Sequence, residues 1–152
     1  MPRRRDVDGK PVDPIPDDLI ALCNALGRCA QAVIVPDVCI VNYYGEESRL
    51  GLHQDNSEPE ETIRSGAAVL SISLGCEATF RIGGFDKSEQ AETINLRSGD
   101  GFVFGGPSRL RYHGIKRVRV GTEPPELNFT GRYNITFRQY WLDQSMRERR
   151  EL

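Results

Sequence analysis

Histidine is almost absent from this chain: its 152 residues hold His53 and His113 and no others. Cysteine is scarce too, and Cys23, Cys29, Cys39 and Cys76 sit in apolar stretches without C-x-x-C spacing. That excludes a disulfide framework and a zinc knuckle as organising devices, and fits reduced, buried thiols. No apolar run is long enough to cross a membrane, and the Arg- and Asp-rich N-terminus lacks the form of a signal peptide. The expectation is a cytoplasmic, monomeric protein with no membrane partner. Charge of one sign is lacking as well: the net charge is −2 and the pI near 5.7. A nucleic-acid partner is therefore not signalled globally and would need a local basic patch. With 38% hydrophobic and 28% charged residues the chain has the means to bury one core.

Residues 1–16, with Arg3-Arg4-Arg5 and four prolines, read as an extended arm. Asp17 or Asp18 starts a helix to about Gln31, whose Leu19, Leu22, Cys23, Leu26 and Cys29 recur at helical spacing. From Ala32 the texture changes to short β-branched and aromatic runs broken by Gly, Pro, Asn and Asp. The predicted strands are Val33–Tyr44, Leu50–His53, Ala68–Leu74, Ala78–Ile82, Glu92–Leu96, Gly101–Phe104, Arg111–Gly114 and Asn134–Trp141. Eight short strands at this spacing imply a mainly β sandwich or barrel with one helix packed outside it. The single domain runs over 17–141, and 142–152 is a charged tail.

The two histidines matter because of where they stand. His53-Gln54-Asp55 places an imidazole and a carboxylate on one face of an extended segment, where side chains alternate with a period of two. His113 from a remote strand can complete a triangle. Two imidazoles and one carboxylate, with the opposite side open, make the facial triad of non-heme iron oxygenases. By itself H-x-D is a weak pattern, equally met by core histidines and a turn aspartate.

A second pattern adds to it. Arg132-Tyr133-Asn134-Ile135-Thr136-Phe137-Arg138 alternates strictly, presenting Arg132, Asn134, Thr136 and Arg138 on one face; Asn42 and Tyr44 share a face in the same way. An outward solvated face would alternate identically. If these faces instead line the interior that holds the triad, the site suits a small dicarboxylic acid, because arginine binds carboxylates through a planar pair of donors. A zinc hydrolase would leave Arg132 and Arg138 without a task.

Asn42-Tyr43-Tyr44, Leu52-His53-Gln54-Asp55, Ser71-Ile72-Ser73-Leu74-Gly75, Phe80-Arg81-Ile82-Gly83-Gly84, Gly105 to Leu110, Tyr112-His113-Gly114-Ile115 and Arg132 to Gln139 together resemble the AlkB family of Fe(II)- and 2-oxoglutarate-dependent dioxygenases, which repair alkylated bases. The resemblance covers roughly residues 9–139. It implies a double-stranded β-helix, or jelly roll, with His53, Asp55 and His113 as iron ligands. It further implies that Asn134 and Arg138 hold the 2-oxoglutarate carboxylate near the metal, and Asn42, Tyr44 and Arg132 the distal one. The implied reaction consumes O2, releases succinate and CO2, and hydroxylates an N-alkyl group that then leaves as an aldehyde. The implied partner is alkylated single-stranded DNA or RNA, since a base must leave the stack to reach a buried metal.

For substrate contact the resemblance points to Arg49 and Ser57, the latter where bacterial relatives have an acidic residue, and to Arg109 within a basic patch of Arg109, Arg111, Lys116, Arg117 and Arg119. The family's N-terminal lid is expected to be largely missing. Two alternatives stay open: the same chemistry on a protein or small molecule, and a non-catalytic 2-oxoglutarate-binding remnant.

Overall fold

A computed structural model describes residues 12–143; the Arg3-Arg4-Arg5 stretch of the expected arm and the charged tail from residue 144 onward lie outside the described residues. Helix α1 (Asp17–Cys29) follows an extended Pro16 and carries Asp17 and Asp18 in its first turn and Arg28 in its last, each sign matching the helix dipole. It closes where Gln31 adopts a left-handed backbone, φ 54°, and Ala32 N–H donates to the Gly27 carbonyl at 2.8 Å.

Among the described residues eight strands follow: β1 (Val38–Tyr44), β2 (Leu50–His53), β3 (Val69–Gly75), β4 (Glu77–Ile82), β5 (Glu92–Leu96), β6 (Gly101–Phe104), β7 (His113–Arg119) and β8 (Arg132–Arg138). They form two antiparallel sheets, ordered β1-β8-β3-β6 and β2-β7-β4-β5. The chain crosses repeatedly between them, which is the expected jelly roll. Tyr44, Cys76, Ala78, Phe80, Leu96, Ile115 and Val118 form the core cluster shared by the two sheets. A second cluster, Cys23, Ile34, Leu70, Ile72 and Phe137, seals α1 to the outer face of the first sheet. Burial pushes the Cys23 thiol up to about 11, which keeps it protonated and unreactive. All four cysteines are free, and Cys29, against expectation, is exposed.

The largest departures from the predicted strand boundaries are at β1, β7 and β8, and each has an identifiable cause. β1 starts at Val38 rather than Val33, because Pro36 interrupts the run and leaves Val33 87% and Val35 59% exposed. β8 stops at Arg138 because the next amides turn away from the ladder: Tyr140 and Trp141 N–H donate to the Asp37 carboxylate, at 2.5 and 2.9 Å. β7 begins at His113, not Arg111, and continues to Arg119. Its alternation is hidden by a bulge opposite Thr79/Phe80, which puts buried Ile115 and Val118 three positions apart. A short helix, α2 (Glu60–Arg64), was not foreseen; its buried Thr62 donates to the Tyr140 carbonyl at 2.9 Å. Where β7 passes β2, a Cβ on Gly114 would stand 2.8 Å from the Gly51 carbonyl oxygen. Among the described residues no helix is long and apolar enough to span a membrane.

Candidate metal and co-substrate site

His53 ends β2 and His113 opens β7, and the two are direct partners across the sheet. Their rings lie 4.5 Å apart. Each ring places Nδ1 3.0 Å from a backbone carbonyl, His53 on Gly51 and His113 on Arg111. A carbonyl only accepts, so Nδ1 carries the proton and Nε2 keeps its lone pair for the interior. Asp55 stands two residues beyond β2, yet its oxygens lie 3.6 Å from His53 Nε2 and 3.7 Å from His113 Nε2. One ligating atom from each of the three lies within 4.8 Å of the others.

The electrostatics separate the two rings. The Asp55 carboxylate, which favours a proton on the facing nitrogen, raises the His53 pKa despite partial burial, whereas burial lowers that of His113. Burial alone would raise the Asp55 carboxyl, but His53, Arg138 and His113 outweigh it and hold it below the usual carboxylate range. The centre therefore presents an anionic oxygen beside two nitrogens, a donor set suited to a divalent cation.

Strand β8 extends this centre into a cavity lined among others by Asn42, Tyr44, His53, Asp55, His113, Arg132, Asn134, Thr136 and Arg138. The alternating face read from the sequence thus lines the same interior as the triad. Asn134 pairs across the sheet with Asn42, and Arg132 with Tyr44. Asn134 donates through Nδ2 to the Ser71 hydroxyl and accepts at Oδ1 from Thr136 at 2.9 Å. Arg138 meets Asp55 Oδ1 at 2.6 Å and Glu58 Oε1 at 3.4 Å.

Arg132 is different. It is 1% exposed, donates once, to Ser73 Oγ at 2.9 Å, and lies 5.4 Å from the Tyr44 ring centre. Its Nε and Nη1 are buried without a partner among the described residues. Burial lowers its pKa, opposed by Tyr44. A buried guanidinium with two idle donors and, among the described residues, no carboxylate facing it is a site prepared for an external anion.

The substrate residues divide. Arg49 and Ser57 are exposed. Arg109 must be corrected, because it is 3% exposed and its donors are committed inward: Nη2 to Glu58 at 2.9 Å, Nε to the Ala67 carbonyl at 2.9 Å and Nη1 to the Asp55 carbonyl. It cannot meet a phosphate from there. The sequence reading missed Ser71 and Ser73 as partners of Asn134 and Arg132, although their period-two spacing on β3 was a signal. It also missed Phe104, whose ring packs 4.8 Å from that of His113.

A profile of the 2OG-Fe(II) oxygenase superfamily matches residues 1–138. The chain belongs to that superfamily. Within it the relatives are of the AlkB family. Alpha-ketoglutarate-dependent dioxygenase AlkB of Salmonella typhimurium is 39% identical over 137 residues, 90% of this chain and 61% of the relative. DNA N(6)-methyladenine demethylase ALKBH1C of Arabidopsis thaliana is 46% identical over 112 residues, 70% of this chain and 25% of the relative. The solved structure of OsALKBH1 superposes with a TM-score of 0.81 at 34% identity, covering 90% of this chain and 71% of that one. Against the first curated relatives the chain spans between 25% and 61% of their length. The superfamily's Fe(II), 2-oxoglutarate and O2 suit what the AlkB-family fold offers here, a His-Asp-His donor set next to an unpaired buried guanidinium.

Proposed function

We propose that this chain is an oxidative dealkylase of N-alkylated bases in DNA or RNA, with single strands or extruded nucleotides as its substrates. The observation that carries the reading is the joint presence, in one cavity, of the triad and of Arg132 with its two idle donors. The named activities of its AlkB and ALKBH1 relatives support the substrate class.

In this reading His53, Asp55 and His113 hold iron, each imidazole oriented by its carbonyl acceptor. Arg132, Asn42 and Tyr44 bind the distal carboxylate of 2-oxoglutarate, and Arg138 with Asn134 the carboxylate nearer the metal. Bound iron supplies the activation of O2 that couples conversion of 2-oxoglutarate to succinate and CO2 with hydroxylation of the N-alkyl carbon. The hydroxylated product then loses an aldehyde and leaves N–H on the base. The protein's own contribution is orientation and exclusion of water: Phe80 and Phe104 wall the inner side of His113, while His53, 36% exposed along its side chain, faces the mouth.

The test is formaldehyde release from a single-stranded oligonucleotide carrying 1-methyladenine, with Fe(II), 2-oxoglutarate and ascorbate, beside Asp55→Ala. Release by the wild type and not by the variant is the expected result. No release while 2-oxoglutarate still binds would move the substrate outside nucleic acid.

A further inference from the structure

Glu58 and Arg109 do not line the cavity, yet both are buried behind its metal-side residues. Their side chains are 1% and 3% exposed and meet at 2.9 Å. Buried ion pairs of this kind add little stability for what they cost to desolvate, so stability alone does not account for one beside a metal ligand. Their connections show another use. Arg109 bonds the backbone carbonyls of Asp55 and Ala67, tying the ligand's own peptide to the segment that leads into β3. Glu58 Oε1 reaches Arg138 Nη1 at 3.4 Å, and Arg138 Nη2 meets Asp55 Oδ1 at 2.6 Å. The contacts close a ring from the Asp55 backbone through Arg109, Glu58 and Arg138 to the Asp55 carboxylate. Within it Glu58 Oε2 and Arg138 Nε are buried and have no partner among the described residues.

The charges balance only if Glu58 is counted. Asp55 and Glu58 face Arg109 and Arg138. Without Glu58, Asp55 would be the one carboxylate that Arg138 meets among the described residues, and a carboxylate so engaged is a poor ligand for a dication. We propose that Glu58 and Arg109 are positioning residues: Arg109 fixes the Asp55 backbone, and Glu58 shares Arg138, so that the Asp55 carboxylate stays aimed between His53 and His113 and available to metal. The inference rests on the metal-centre part of the function proposed above and is independent of the substrate.

Titration of the full chain with Co(II), followed by visible absorption, tests it without turnover. Glu58→Gln and Arg109→Lys should each weaken Co(II) binding by about 10- to 100-fold, the range for partners that orient metal ligands. Thermal melting of the metal-free proteins runs in parallel, because a purely structural role lowers the melting temperature and leaves Co(II) affinity alone. Should Glu58→Gln fail to fold, having left Arg109 unpaired, the double variant Glu58→Gln/Arg109→Met removes both charges together and should fold with similarly weakened binding. A folded variant that binds Co(II) within about twofold of wild type overturns the proposal, since orienting partners cost at least tenfold. Failure of the wild type to bind Co(II) would remove the metal centre itself, and the positioning role with it.

Discussion

The two ends of β8 carry the same side chain in opposite company. Arg138 lies between two carboxylates, Asp55 and Glu58, while Arg132, six residues along the same face, has a serine, a tyrosine ring and two idle donors. Both are arginines on one alternating strand, and only their surroundings separate them. The end whose charges cancel is built to keep a carboxylate ready for a cation. The end whose charge is unmatched is built to receive an anion. A dication and a dicarboxylate entering together leave the net charge of the interior unchanged, which makes their binding mutually supportive.

The largest effect should come from Asp55→Ala, which removes the anionic ligand: iron-dependent turnover falls to background in the formaldehyde assay, and far-UV circular dichroism stays native. Next, the two arginines should respond in opposite directions when no ligand is present. Arg138→Ala leaves buried Asp55 without its guanidinium partner and should cost about 3 kcal/mol of stability, whereas Arg132→Met removes an unpaired buried charge and should raise the melting temperature of the metal-free protein. Both should raise the 2-oxoglutarate requirement, Arg132→Met by roughly a hundredfold. Equal destabilisation by the two substitutions would erase the contrast between the ends of β8.

A third, smaller effect is one of pH. His53 has its pKa raised above the ordinary 6.5, so it takes up a proton as the pH falls through a value above 6.5, and a metal must then displace it. His113, lowered by burial, stays neutral across that window. Co(II) affinity should therefore fall as the pH is lowered, its decline starting above 6.5. A decline confined to lower pH would contradict the assignment of His53 as the raised ring. The smallest expected change is Arg49→Ala, which on an exposed position should alter stability by less than about 0.5 kcal/mol. If Arg49 meets a phosphate, the salt dependence of oligonucleotide binding should lose a slope of about one.

How much of this was legible depended on whether the deciding interactions were local. β2, β5 and β6 have the boundaries read from the sequence, because Gly, Asp and Ser punctuate their ends. β8 was misjudged at its end because what stops it, the Asp37 carboxylate, is 103 residues away from Tyr140. β7 was misjudged because a bulge breaks the period that identifies strands. The triad and the arginine face were readable since scarcity pointed to the histidines and strict alternation to the arginines. Arg109 was not, because an arginine among basic neighbours reads as surface, and only a buried glutamate, Glu58, reveals where it points.

Gly114 sets a limit on what mutation can do here. A side chain at that position would collide with the β2 backbone at Gly51 and push away the strand that ends in His53. The spacing of the two histidines is thus enforced by an atom that is missing, next to a ligand and invisible to any inspection of the donors themselves. In a saturation scan this glycine should behave like a ligand although it binds nothing. Lineages drifting from this sequence could trade outer arginines freely and still find that one position closed.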